Sequence, residues 1–311
     1  MTTGVILMTY GAPAGDEDVA AYLGRVRGRE PAPELVTEMR RRYGLIGGSP
    51  LVEITRAQAE ALERALGADY RVRAGMRFSE PAIEAEVGAL LAEGATRIVG
   101  VPMSPQWSDR LMSGYERAVA DSCSVPFAIA RSWWCAPAFV SAVARAVREA
   151  LSELAASSPA IVLTAHSLPR RVFEAEPGYV DELQRTARAV AEEAGLARWS
   201  FAYQSAGHTA EEWLRPDLVD LFPSLAAEGV TDVLVVPVQF LADHLEVLYD
   251  LDIAAAAQAR EAGLRYHRIA MPNTRPDFIG ALAAIVRAMT GDGEIRADSQ
   301  GRGRGSPPEG R

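Results

Sequence analysis

The 311-residue sequence has no lysine: all 32 of its basic residues are arginine. Together with abundant alanine this is the mark of a GC-rich genome, so arginine number by itself carries little functional weight. Positive charge is also outnumbered, 32 residues against 41 acidic ones, for a net charge of −9. Nucleic-acid binders usually show a basic excess, so no nucleic-acid partner is expected, although a local basic pocket is compatible with this balance. Cysteine is nearly missing, with only Cys123 and Cys135. Two thiols cannot build a secreted disulfide framework, nor supply the four ligands of a zinc or iron–sulfur site within one chain. They are expected to be reduced, as in the cytosol. Long apolar runs are lacking as well. The N-terminus has no basic leader, and its first apolar run covers only residues 5–8, too short for a signal peptide. Nothing approaches the ~20 apolar residues of a membrane span. The chain therefore reads as cytoplasmic and soluble, with no integral membrane segment.

What is present is close to a globular average, 49% hydrophobic and 23% charged. At roughly 150 residues per domain, the length suggests about two domains. Short apolar runs at 4–8, 70–75, 97–102, 160–165, 199–203, 233–240 and 266–269 predict strands. Helical spacing covers 57–66, 80–93, 115–121, 137–154, 180–195, 218–228, 243–259 and 276–289. Continuous apolar strands separated by such helices mean βαβ units, parallel sheets and an α/β fold class. Ser157-Ser-Pro-Ala160 marks a linker between two regions of similar element order. The expected organisation is one domain over 1–155 and a second over 156–290, whose last helix packs back on the first. A Gly-, Ser-, Pro- and charge-rich tail over 291–311 is expected to be disordered.

In an open parallel sheet, ligands bind at the carboxyl ends of the strands. Three such ends carry chemically capable residues: Tyr10-Gly11, His166-Ser167-Leu168-Pro169, and Gln239-Phe240 followed by Ala242-Asp243-His244-Leu245-Glu246. His166 can serve as a base or a metal ligand, as imidazole does, or be a satisfied histidine at a strand end. Asp243 fits a helix N-cap, with Glu246 completing a capping box. Glu246 and Asp250 are spaced i, i+4 and share one helical face. A metal or protons in transit would relieve their repulsion; a solvated acidic face is the alternative. Arg25, Arg27 and Arg29, with Arg40, Arg41, Arg42 and Tyr43 downstream, form a set suited to bidentate carboxylate recognition, or else a solvated basic face. Gly47-Gly48-Ser49-Pro50 is not a phosphate loop, because it lacks the Gly-Lys-Ser/Thr ending and follows no strand. His208 and His267 are isolated and read as structural. Trp133-Trp134 reads as packing, or as the wall of a flat hydrophobic pocket.

Several motifs stand in a fixed order. They are Met8-Thr-Tyr-Gly-Ala-Pro13, then Arg42-Tyr43 with Ile46-Gly-Gly-Ser-Pro-Leu51, then Thr164-Ala-His-Ser-Leu-Pro169. Tyr203-Gln-Ser205 with Trp213-Leu214 follows, then Val236-Pro-Val-Gln-Phe-Leu-Ala-Asp-His-Leu-Glu-Val-Leu-Tyr-Asp250 and Met271-Pro-Asn273. In this order they resemble the ferrochelatases, from about Gly4 to Met289. The resemblance implies two Rossmann-like, chelatase-type domains facing each other across a porphyrin cleft, each with a parallel sheet flanked by helices. It implies a lyase-class enzyme of haem biosynthesis that inserts Fe(II) into a porphyrin and releases two protons.

By motif match, His166 and Glu246 are the family's facing metal-site and catalytic pair. Tyr10 matches a tyrosine of the Gram-positive branch, which acts on coproporphyrin III, where it can ligate the product iron. Arg27, Arg42, Tyr43, Ser49 and Tyr115, with Tyr10, are the implied porphyrin contacts. Relatives can carry a third acid one turn beyond the Glu-Asp pair, where this chain has Ala254, so an outer site of three acids is not implied. The acid that relatives can have after Ser205 is also missing from Gln204-Ser-Ala-Gly-His208. Fe(II) is then substrate, no other cofactor is required, no iron–sulfur cluster is expected, and a monomer is the simplest state. Two further readings stay open: the same reaction on protoporphyrin IX, and a non-catalytic porphyrin or haem carrier on the same fold.

Overall fold

Apolar runs such as Val5–Met8 are fully buried because helices cover both faces of a parallel sheet. The computed structural model describes residues 1–154, 158–207 and 211–291. Ser157 of the expected linker, His208, and the expected tail beyond Gly291 lie outside the described residues. The first half runs β1 (Thr2–Thr9), α1 (Val19–Arg27), α2 (Pro33–Leu45), α3 (Leu51–Leu66), β2 (Tyr70–Met76), α4 (Ile83–Ala92), β3 (Ala95–Pro102), α5 (Asp109–Ser122), β4 (Phe127–Ile129) and α6 (Pro137–Glu153). The second runs β5 (Ala160–His166), α7 (Arg170–Ala175), α8 (Pro177–Ala194), β6 (Ser200–Gln204), α9 (Leu218–Ala227), β7 (Asp232–Pro237), α10 (Leu245–Leu248), α11 (Ala256–Glu261), β8 (Arg265–Arg268) and α12 (Pro276–Thr290). A π-helical turn, Asp250–Ala255, joins α10 to α11.

Each half builds a four-stranded sheet, in the orders β2-β1-β3-β4 and β6-β5-β7-β8, and every pairing is parallel. The two orders are the same pattern, the first strand of each half lying between the second and the third. The architecture is thus the α/β class with parallel pairing that the strand pattern predicted, and it has the two helix-flanked sheets that the motif resemblance implied. One apolar cluster runs through both halves, from Val5 and Leu7 through Phe139 and Val143 to Leu163, Leu234 and Phe278. In it α6 packs on α8 and α12, and α12 also packs on α3. Arg287 donates to the Ala65 carbonyl (2.9 Å), Tyr70 and Thr290 share a hydroxyl hydrogen bond (3.1 Å), and Arg97 donates to the Thr290 carbonyl (3.1 Å).

The element reading needs four corrections. α1 and α2 have no counterpart in it: their charged residues mask the apolar positions Val19, Leu23, Val36 and Tyr43, which pack together as a separate small cluster. α7 and the three-residue edge strand β4 are too short to show a period. The run at 233–240 leaves the sheet after Pro237, and the predicted helix at 243–259 is broken into α10, the π turn and α11. Asp243 is not the N-cap of α10; His244 is, in extended conformation and with no side-chain cap bond.

Gly75 near the end of β2 shows how tightly the sheet carries α4. A Cβ there would lie 2.8 Å from Ile83 Cα and 3.0 Å from Ile6 Cδ1. The first contact is backbone and cannot swing aside. Gly75→Ala is therefore expected to lower stability by about 1–3 kcal/mol, read as a shift of the urea midpoint at unchanged slope; an unchanged midpoint would show that β2 and α4 are not in fixed contact.

Candidate active site

The carboxyl ends of β1, β5 and β7 point into one region between the halves. His166 is the last residue of β5. Its backbone N–H donates to Gln239 Oε1 (2.9 Å), and Gln239 Nε2 donates to the Tyr179 hydroxyl (2.8 Å). His166 Nδ1 lies 2.7 Å from the Ser167 carbonyl. A carbonyl only accepts, so Nδ1 carries the proton and Nε2 is the atom turned to the cleft. It faces Glu246 Oε1 at 3.8 Å.

Glu246 comes from the first turn of α10, after β7, the strand that pairs with β5. His244 Nε2 lies 3.5 Å from its second oxygen, while His244 Nδ1 is held 3.0 Å from the Ala242 carbonyl and the ring stands edge-on to Phe240. Glu246 is thus bracketed by two imidazoles. Burial pushes its carboxyl up, but the charge of His166, the contact with His244 and that residue's charge outweigh burial and hold its pKa at about 2. A gap of 3.8 Å is too long for a hydrogen bond, yet it suits one metal ion shared between imidazole and carboxylate at about 2.0–2.2 Å from each. The same two atoms can pass a proton once they close.

The segment carrying His244 and Glu246 is fixed from both halves. Gln58, fully buried on α3, donates Nε2 to the Asn273 carbonyl (2.8 Å) and to the Leu241 carbonyl (3.4 Å). The Asn273 side chain accepts from Asp243 N–H (2.9 Å) and donates to Asp243 Oδ2 (2.7 Å). Asp243 thus anchors a loop where a helix cap was expected.

Asp250 begins the π turn. Its carboxyl is pushed up, first by burial and then by the charge of Glu246, against the opposing charges of His166 and Arg42. Arg42 Nη1 lies 3.4 Å from Asp250 Oδ1, its Nε donates to Glu38 (2.8 Å), and its guanidinium lies 4.8 Å from the Tyr249 ring centre. Arg41 donates to Glu38 and to the Tyr249 hydroxyl. The arginine run on α2 therefore clasps the π turn.

Around the pair stand aromatic rings. Tyr10, just beyond β1, is edge-on to Phe78 (5.1 Å) and 6.0 Å from the buried Tyr115. The Tyr10 phenol is pushed up by burial, with the Glu246 charge adding and the Arg77 charge opposing. Burial drives Tyr115 and Tyr43 the same way. The Arg77 guanidinium lies over the rings of Phe78, Tyr115 and Tyr10, at 4.7, 5.7 and 5.9 Å. Gly114 makes this possible: a Cβ there would sit 2.2 Å from the guanidinium carbon.

Beside this centre lies a cavity of ≈1460 Å³, above the roughly 300–1,000 Å³ of drug-sized ligand pockets. It adjoins the His166–Glu246 pair and does not contain it. Tyr43, Arg77 and Leu248 form the border, and Ser49 lies on its wall. Four arginines line it, Arg25, Arg40, Arg56 and Arg77, with the acids Asp16, Asp18, Glu53 and Glu80.

The residues implied by motif therefore fall into two groups. His166, Glu246, Tyr10 and Tyr115 form the centre, with Arg42 behind it; Tyr43 and Ser49 belong to the cavity. Arg27 joins neither: it is exposed at the end of α1, and Arg25 is the residue of that stretch on the cavity. Arg56, Arg77 and Gln58 were not singled out from the sequence, and His244 was named there only as part of its strand-end segment, with no role. For His244 the signal was its place two residues before Glu246. His267 bonds Asp232 (3.0 Å) at the far end of the sheet, and Trp133 and Trp134 are buried away from the cavity.

A family model for ferrochelatase matches residues 2–290. The chain belongs to the ferrochelatase family. It is accordingly a chelatase that inserts metal into a porphyrin. Coproporphyrin III ferrochelatase of Geobacillus thermodenitrificans is 37% identical over 300 residues, 92% of this chain and 95% of that one. The ferrochelatase of Herpetosiphon aurantiacus is 37% identical over 91% of this chain and 98% of its own length. The Bacillus subtilis coproporphyrin III ferrochelatase is 34% identical over 91% and 96%. Among solved structures, CbiX, a terminal enzyme of sirohaem biosynthesis in denitrifying bacteria, superposes with a TM-score of 0.58 at 13% identity, covering 93% of this chain and 99% of that one. SirB of Bacillus subtilis, solved with Fe3+, gives 0.58 at 14% over 92% and 95%. These two likenesses concern the fold. No helix among the described residues is long and apolar enough to cross a membrane.

The depressed pKa gives a direct test. An ordinary glutamate is about half protonated near pH 4.3, whereas Glu246 stays a carboxylate there and takes its proton only as the pH falls through about 2. Infrared difference spectra of the protein against Glu246→Gln are expected to keep the carboxylate stretch at about pH 4. A protonated carboxyl band at that pH would mean that the imidazoles do not reach Glu246.

Proposed function

We propose that this ferrochelatase-family protein inserts Fe(II) into coproporphyrin III, and that His166 and Glu246 carry the reaction. The observation behind this reading is the His166 Nε2–Glu246 Oε1 pair, 3.8 Å apart beside an arginine-walled cavity. The relatives named above that act on coproporphyrin III support the choice of substrate.

A free porphyrin is a flat ring with two inner N–H protons. Fe(II) must enter along the ring normal while both protons leave, so the four nitrogens end up bound to the metal and two protons pass to the protein and solvent. A bent ring presents lone pairs on one face and N–H groups on the other, and a site that favours the bent ring favours the transition state. In this reading His166 Nε2 takes a proton from the ring, and Glu246, ionised and bracketed by two imidazoles, stabilises the imidazolium that forms. The same imidazole and carboxylate are suitable ligands for the incoming iron. Tyr10, a half-buried phenol of the same centre, would serve as a ligand of the product iron. The four propionates of coproporphyrin bring up to four negative charges to a protein of net charge −9, and the four cavity arginines, set among as many acids, are the groups there that can meet them. No resident cofactor is needed.

Anaerobic insertion followed by absorbance, with coproporphyrin III and protoporphyrin IX side by side, tests the substrate. A higher kcat/KM for coproporphyrin III is expected; the reverse order would move the protein to the protoporphyrin IX branch. His166→Ala is expected to lower kcat by about 10²-fold or more, the usual weight of a general base, with porphyrin affinity retained. Loss of binding in place of turnover would remove His166 from the chemistry, and single-turnover inertness of the unmodified protein would favour a carrier.

A further inference from the structure

Four guanidinium groups line the cavity, and three are committed. Arg25 donates to Asp18 (3.1 Å) and to the Phe78 carbonyl (2.6 Å). Arg40 donates to the Asp16 carbonyl (3.1 Å) and lies 4.0 Å from its carboxylate. Arg77 donates to the Leu111 carbonyl (2.7 Å) and spends its face on three aromatic rings. Arg56, on α3, lines the same cavity and has no hydrogen bond, ion pair or ring partner among the described residues. Glu53, one turn earlier on the same wall, forms no ion pair with it.

An uncommitted guanidinium facing a ligand cavity presents its fork of donors to whatever acid enters. Arg56 and Arg77 stand on different elements, α3 and the loop after β2. Protoporphyrin IX carries its two propionates on adjacent pyrroles, along one edge, and meets one such wall. Coproporphyrin III carries one on each pyrrole and meets both. Building on the proposed substrate, we infer that Arg56 is a specificity-determining residue, which binds a propionate present in the four-carboxylate porphyrin and missing from the two-carboxylate one.

The test is the dissociation constant of each metal-free porphyrin, by absorbance titration, for the unmodified protein, Arg56→Ala and Arg56→Lys, with Tm measured in parallel. Arg56→Ala is expected to weaken coproporphyrin III about 10-fold, the scale of one charge-assisted hydrogen bond, and protoporphyrin IX by less than about 2-fold, at unchanged Tm. Arg56→Lys keeps the charge without the fork and restores part of the loss. Equal losses for both porphyrins, or none for either, would overturn the assignment of Arg56. If the unmodified protein binds both porphyrins equally well, Arg56 does not select between them and the inference falls, while the substrate reading is decided separately by the kcat/KM comparison. A lowered Tm with loss of both ligands assigns Arg56 to the fold and also overturns the inference.

Discussion

The active centre depends on one buried amide. Gln58 reaches from α3 in the first half to the Leu241 and Asn273 carbonyls in the second, and through Asn273 it fixes Asp243. Three residues later comes Glu246. A free chain end or an ordinary loop would let that carboxylate wander by more than the spacing that matters here. Because a buried N–H left without its acceptor costs about 1–3 kcal/mol, these two bonds tie the segment bearing Glu246 to the first half. His166 itself needs no clasp from the first half: it is the end of a central strand, tied by its own backbone to Gln239.

Electrostatics divide the work between two neighbouring places. The centre holds groups that can change charge: two imidazoles, two carboxyls and a set of buried phenols. The cavity beside it holds four guanidinium groups, which keep their charge at every working pH, among as many acids. Binding of an acidic ligand and handling of its protons are thereby separated, and a protein that is acidic as a whole can still hold an anion. Arg41 and Arg42 stand between the two, clasping Tyr249 and Asp250 at the π turn, which ties α2 to the segment that follows Glu246.

Much of this was legible beforehand, for a physical reason. Strands buried on both faces have to be continuously apolar, so β1, β5 and β7 announced themselves, and residues at their carboxyl ends were candidates by position. His166 and Glu246 became more than candidates only through the order of the motifs. What escaped the reading had no local signature. α2 carries its charge on the same turns as Val36 and Tyr43. A π turn has no hydrophobic period of its own, so 243–259 looked like one helix and Asp243 like its cap. Arg56 and Arg77 look like any arginines of a lysine-free chain until the fold sets one on an open wall and folds the other over three rings. Arg27 shows the converse: correct in type and neighbourhood, it lies on the wrong side of a helix whose Arg25 faces the cavity.

The last helix has a consequence for how the chain is made. α12 covers faces of α3 and α6 and bonds back to Ala65, Tyr70 and Arg97. A ribosome releases those partners long before it releases residue 290. The N-terminal half must therefore wait, with part of its apolar surface uncovered, until almost the whole protein has been synthesised. The covering of the first half is therefore completed only with the last helix, and a nascent chain stalled before α12 presents an apolar surface of the kind on which chaperones act.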